Sequence, residues 1–108
     1  MAVKDILETE IPNKLRAKPE LGKEINAVIH FDITGDGGGA WTLDCSKEAD
    51  WVSSGKNGDS KMTIICSAAD FEKIVTKQMN AQTAAMTGKL KFKPMDMGLA
   101  MKLAKLLG

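Results

Sequence analysis

Apolar positions along this chain switch between two periods, and each switch marks a boundary between helix and strand. Val3, Ile6, Leu7 and Ile11 recur at helical spacing and predict an opening amphipathic helix. Pro12 should end or kink it near Ile11, because a proline nitrogen has no hydrogen to donate. Leu15 extends the stripe into a second short turn, and Pro19 with Gly22 closes the segment. A helix lying on a sheet accounts for this pattern.

From Ala27 the period is two. Ala27, Ile29, Phe31 and Ile33 alternate with Val28, His30, Asp32 and Thr34, as in a half-buried strand. Trp41, Leu43 and Cys45 repeat the alternation after Gly35-Asp36-Gly37-Gly38-Gly39. No Lys-Ser/Thr pair and no helical pattern follow these glycines, so they read as a hairpin turn rather than a phosphate loop. Residues 49–53 form a weaker strand, residues 55–59 a second turn cluster, and Met62, Ile64 and Cys66 mark a fourth strand. Short turns between successive strands predict an antiparallel meander. Cys45 and Cys66 fall in phase with apolar neighbours and should be small core residues. His30 falls out of phase and should be solvated.

The helical period returns at Ser67, which with Asp70 makes a capped start for a helix carrying Phe71, Ile74 and Val75. Asn80 can cap a further short helix with Ala84, Ala85 and Met86, ended by Gly88. Leu90 and Phe92 then alternate with Lys89, Lys91 and Lys93, a fifth strand with lysines on one face. Asp96 can cap a last helix, where Met97, Leu99, Met101, Leu103, Leu106 and Leu107 form a wide apolar stripe. One sheet with helices over one face is the natural assembly, an α+β domain.

Composition narrows the function more than the fold. A chain of 108 residues fits a single domain, 1–108. At 44% hydrophobic and 27% charged it is not a disordered sequence, and no apolar run approaches the roughly 18–20 residues of a spanning helix. Two Cys and one His show no zinc-ligand spacing, so no metal and no cofactor is expected. With His30 alone and no Tyr, no acid, base and nucleophile set can be assembled, and the chain is not read as an enzyme. Met1-Ala2-Val3-Lys4-Asp5 lacks the layout of a secretory signal, and two free thiols suit a reducing compartment, so a cytoplasmic location is expected.

The net charge of +1 conceals an asymmetry: residues 1–60 hold seven Lys/Arg against eleven Asp/Glu, and residues 61–108 hold eight against three. Six of the seven Met lie in that basic half, and five of them (Met79, Met86, Met95, Met97 and Met101) stand beside Ala81, Ala84, Ala85, Gly98 and Ala100. Well-specified cores use little Met. On pattern alone this layer reads as ordinary core, with a cavity around a guest of variable shape as the other reading. The lysines read as a solvated strand face, or as attracting anionic head groups of a membrane or of a bound ligand. Nucleic acid is not expected, since only Phe92 interleaves with them and it should face inward.

The second half carries a resemblance. Asp70-Phe71, Ile74-Val75-Thr76, Met79-Asn80, Gln82, Ala84, Met86, the string MTGKLKFK and the string DMGLAMKL together resemble the sterol carrier protein type 2 family. The likeness runs over nearly the whole chain, and those two strings are its specific part. It implies a five-stranded, mostly antiparallel sheet with helices over one face, enclosing an apolar tunnel for a fatty acid, acyl-coenzyme A or sterol. It also implies lipid binding and transfer without catalysis, with transient membrane-surface contact. The tunnel lining it implies is Phe71, Ile74, Val75, Met79, Gln82, Ala85, Met86, Leu90 and Phe92, closed by Leu99, Met101, Leu103 and Leu106 of the last helix. The chain departs from the family pattern at Lys77 (usually Gly), Ala81 (usually Pro), Ala85 (usually aromatic) and Pro94-Met95 (Gly nearby). Ala85 should leave extra room or a repacked wall. The reading from another class is a non-lipid interaction or regulatory module whose apolar layer is merely filled core.

Overall fold

The computed structural model describes residues 2–94 and 96–107. The two-residue period yields β1 (Val28–Thr34), β2 (Gly39–Asp44), β3 (Val52–Ser54), β4 (Met62–Ser67) and β5 (Leu90–Lys93), in one sheet of order β3-β2-β1-β4-β5. The register lines up the inward positions: Phe92 opposite Ile64, Ile64 opposite Phe31, and Phe31 opposite Trp41. All four are buried, as are Met62, Ile29 and Leu43 in the neighbouring row. Helices cover this face, giving the expected α+β architecture. At one edge, β5 buries Leu90 and Phe92 and shows Lys91 and Lys93 to solvent.

The four-strand meander does not form. β1, β2 and β3 pair antiparallel in succession, but β4 lies parallel to β1, on its other side. Alternation shows which face a strand buries, not which strand it pairs with. Burial decides the rest. β4 has three fully inward apolar residues, Met62, Ile64 and Cys66, and takes a central place; β3 has no buried residue and stays at the edge.

A parallel β1–β4 pair obliges the chain to recross the sheet, and residues 55–61 do so over the face opposite the helices. Thr42 Oγ1 donates to the Gly55 carbonyl at 2.6 Å and accepts from the Asn57 N–H at 2.8 Å. His30 Nε2 lies 3.2 Å from the Asn57 carbonyl, and Lys56 Nζ 3.3 Å from Asp32 Oδ2. His30 is therefore buried, not solvated: it points away from the helical face as its phase implies, but the crossing loop lies on it.

Pro12 does not end the opening helix, whereas before Pro19 the helix has stopped at Ala17 and Lys18 is no longer helical. The opening helix runs through α1 (Val3–Asp5), a π-helical turn (Ile6–Glu10) and α2 (Ile11–Ala17), with right-handed helical backbone at both junctions. In the widened turn the Ile11 N–H reaches the Ile6 carbonyl, and Pro12 follows where α2 restarts and a missing N–H is tolerated. Pro19 opens α3 (Pro19–Ile25), pre-set for a first helical position. Glu8, within the π turn, accepts from Trp41 Nε1 at 3.1 Å and ties this helix to the sheet. The glycine run is the expected hairpin. A Cβ on Gly38 would meet the Ile33 carbonyl oxygen at 2.2 Å, so no larger residue fits there.

Thr42→Val keeps the shape of a buried side chain while stranding the Gly55 carbonyl and the Asn57 N–H. Urea denaturation should show a loss of about 2–3 kcal/mol, more than one net hydrogen bond is worth.

Candidate functional site

The helices of the second half are each started by the residue expected. Ser67 Oγ accepts from the Asp70 N–H at 3.2 Å and opens α4 (Ala68–Val75). Asn80 Oδ1 accepts from Gln82 at 2.8 Å and Thr83 at 3.2 Å and opens α5 (Ala81–Met86). Asp96 Oδ1 accepts from Leu99 at 3.1 Å at the head of α6 (Met97–Leu107). Phe71 of α4 meets Phe31 edge-on, ring centroids 5.9 Å apart, and so seats α4 on the centre of the sheet.

α6 is fastened at its far end. Lys14 Nζ donates to the Leu106 and Leu107 carbonyls at 3.1 and 3.3 Å, and Lys102 Nζ to the Glu24 carbonyl at 3.1 Å. Burial lowers the Lys14 pKa, the nearby Lys77 charge lowers it further, and Glu10 opposes both. The other half of α6 is looser: Leu99 and Ala100 are buried, but Met97 and Met101 are 64% and 52% exposed.

Between that half of α6 and α5 lies a groove of about 370 Å³. Ala81, Gln82, Ala85 and Met86 form the α5 wall; Met97, Ala100, Met101 and Ala104 form the α6 wall, with Phe92 of β5 also lining it. Two pairs of alanines four residues apart, 81/85 and 100/104, border the space where larger side chains would close it. The methionines stand around it, Met86 being 87% exposed. A second space of about 470 Å³ shares Ala81, Gln82, Met101 and Ala104, and adds Ile74, Lys77, Met79, Asn80 and Lys105. Other clefts flank Trp51, whose ring carries the Arg16 guanidinium at 5.9 Å; Lys47 and Glu48 line one of them and Glu8 and Asp50 another. Those walls suit no long apolar guest.

Of the residues singled out from sequence, Ile74, Met79, Gln82, Ala85, Met86, Phe92 and Met101 border these two adjoining spaces. Phe71, Leu90, Leu99, Leu103 and Leu106 are buried and fill the interior between sheet and helices, and Val75 is half-buried against it. Met95 lies outside the described residues. The lining that the resemblance implies leaves out Ala81, Met97 and Ala100, which the sequence places in the methionine-rich layer, and also Ala104, Lys77 and Lys105. The signal was present in the alanine pairs at helical spacing and in the pair Met97/Met101.

Lys77 is backbone-strained. After α4 the Gln78 N–H reaches the Lys73 carbonyl at 2.8 Å and the Lys77 N–H the Ile74 carbonyl at 3.1 Å, a helix ending that sets Lys77 at φ +65°. That left-handed conformation costs a residue with a Cβ about 1–2 kcal/mol and glycine almost nothing.

The thiols are placed for packing rather than reaction. Burial and then Asp44 push Cys45 up to about 12; burial and then Asp70 push Cys66 up to about 11, against the N–H of Ser67. Among the described residues no group of three or more His, Cys, Asp or Glu is placed to hold a metal ion.

An α+β domain with an alanine- and methionine-lined groove at one helical seam is a fold built to leave apolar space. The chain belongs to the SCP-2 sterol transfer family, whose pattern matches residues 4–108. It is 34% identical over 101 residues to a fatty acid-binding protein of Yarrowia lipolytica, covering 90% of this chain and 75% of that protein. It is 38% identical over 91 residues to hydroxysteroid dehydrogenase-like protein 2 of Xenopus tropicalis; the match takes in 82% of this chain but only 21% of that longer protein. The solution structure of palmitated SCP2L2 from Aedes aegypti superposes with a TM-score of 0.79 at 25% identity, covering 99% of this chain and 95% of that one.

Two measurements follow from the thiols. Near pH 8, with roughly one Cys66 in a thousand ionised and fewer Cys45, the folded protein should react with a thiol-specific disulfide reagent far more slowly than the same protein in urea. Both pKa values are raised on folding, so their contribution to stability is full below the ordinary 9.0 and is lost as pH rises toward 11–12. The urea midpoint should fall above pH 9, and less steeply in Cys45→Ala.

Proposed function

We propose that this chain binds a single-chain lipid, a fatty acid or a relative with a similar tail, in the groove between α5 and α6, and carries it without chemical change. The observation that supports this most is the lining: four alanines, three methionines and Phe92 around one space, with the methionines exposed. An ordinary core would have closed it. The space of about 370 Å³ lies within the roughly 300–1,000 Å³ of small-molecule sites. Burying ten methylenes there contributes about 8 kcal/mol before the cost of association. That scale suits exchangeable cargo. Flexible thioethers let one groove accept tails of different shape.

The names of the relatives point the same way: one is a fatty acid-binding protein and one is a palmitated carrier. Catalysis is no part of this reading. His30 is engaged with the crossing loop, and both thiols are held protonated by burial. Free buried cysteines suit a reducing cytoplasm. Exposed Met86, Met97 and Met101 give the domain an apolar contact for the moment when cargo passes to or from a membrane surface.

Ala104 borders both adjoining spaces and is half-buried. Ala104→Phe should weaken palmitate binding by about tenfold or more, read by displacement of the neutral dye Nile red, while the melting temperature barely moves. Unaltered affinity in a folded variant would remove the groove as the lipid site. Ala85→Phe should shift the preference toward shorter tails, read with a series of fatty acids of increasing length.

A further inference from the structure

The two adjoining spaces differ in kind. The one that reaches Phe92 is walled by alanine and methionine. The one that reaches the end of α4 carries Lys77 and Lys105, and neither lining includes an Asp or Glu. Four residues, Ala81, Gln82, Met101 and Ala104, belong to both, so the spaces adjoin along one seam. A site apolar along its length and cationic at one end has the shape of an amphiphile with an anionic head.

Backbone strain supports the same assignment. Lys77 occupies φ +65°, at a helix end where glycine would sit freely. A lysine there carries a backbone cost that glycine would not. Its charge is also felt locally, since it lowers the pKa of Lys14, whose own amine is taken up by the last carbonyls of α6. Lys77 and Lys105 are not so engaged: among the described residues neither has an ion-pair partner.

We propose that Lys77 and Lys105 hold the anionic head group of the bound lipid, so that the groove selects single-tailed lipid acids over neutral lipids with the same tail. This rests on the lipid-binding reading and adds the head-group class. The chemistry recognised is an anion at the end of one acyl chain, a carboxylate or a phosphate monoester. Gln82, common to both spaces, stands where tail gives way to head, and its side-chain amide can donate to a carboxylate or a phosphate.

The test compares three ligands with one tail, palmitate, hexadecyl phosphate and hexadecanol, by Nile red displacement at low salt near pH 8, using the full chain. At least one of the two anions should bind about tenfold more tightly than the alcohol, and the phosphate and palmitate arms tell which head is held. Lys77→Gly and Lys105→Ala should each weaken the anions several-fold, and the double variant should bring them level with hexadecanol, whose affinity stays within about twofold. Lys77→Gly should melt higher than the parent, so its loss of anion binding is not loss of fold. Equal affinity for all three ligands in the unmodified chain would overturn the head-group assignment while leaving lipid binding intact. An anion preference that survives in the double variant would overturn the role of these two lysines. No displacement by any of the three would instead overturn the lipid-binding reading itself.

Discussion

Much of this structure depends on the parallel pairing of β1 with β4. It places Ile64 beside Phe31 and, through Phe71 on that ring, seats α4 over the middle of the sheet. It also sends the chain back across the opposite face, where Thr42, His30 and Asp32 hold residues 55–57. Because β4 runs directly into the Ser67 cap, α4 leaves the sheet at a defined point, and α5, β5 and α6 follow from there. The groove is therefore a consequence of topology before it is a matter of lining.

What keeps the groove open is a division of labour within α6. Leu99, Leu103, Leu106 and Leu107 are buried, and Lys14 holds the final carbonyls, so the helix does not depend on its first two turns alone for anchorage. Those turns can then carry Met97, Ala100, Met101 and Ala104 along the α5 seam. Apolar side chains left in water forgo the stabilisation that burial would bring, a cost the filled interior offsets. Lys77 adds a second such concession, in backbone energy rather than solvation.

Local signals were legible in the sequence wherever one residue and its near neighbours decide the outcome. Ser67, Asn80 and Asp96 cap the helices they were expected to cap, and the inward apolar residues of β1, β2, β4 and β5 face as their period implies, whereas the weak strand expected at 49–53 forms as β3 at Val52–Ser54 with no buried residue. The errors arise where a distant partner decides. Nothing near Met62 announces that β4 will run alongside β1, and His30 becomes buried only because a loop from far along the chain lies on it. Pro12 leaves the helix unbroken for a nearer reason: the π turn before it supplies slack that a regular helix lacks. For the site, the methionine-rich half was visible as a composition, but filled core and open groove differ by where alanines face one another across two helices. That is a relation between elements, which periodicity within one element does not contain.

The lysines of β5 acquire a different meaning beside an exposed apolar groove. β5 is an edge strand, and an unpaired edge next to solvent-facing methionines invites another chain to add itself by main-chain hydrogen bonding. Lys91 and Lys93 set like charges against any second copy in register, and Pro94 offers no N–H to extend the ladder. A protein that keeps apolar surface available for cargo must also keep from polymerising through it, and here the sheet's own border supplies that protection.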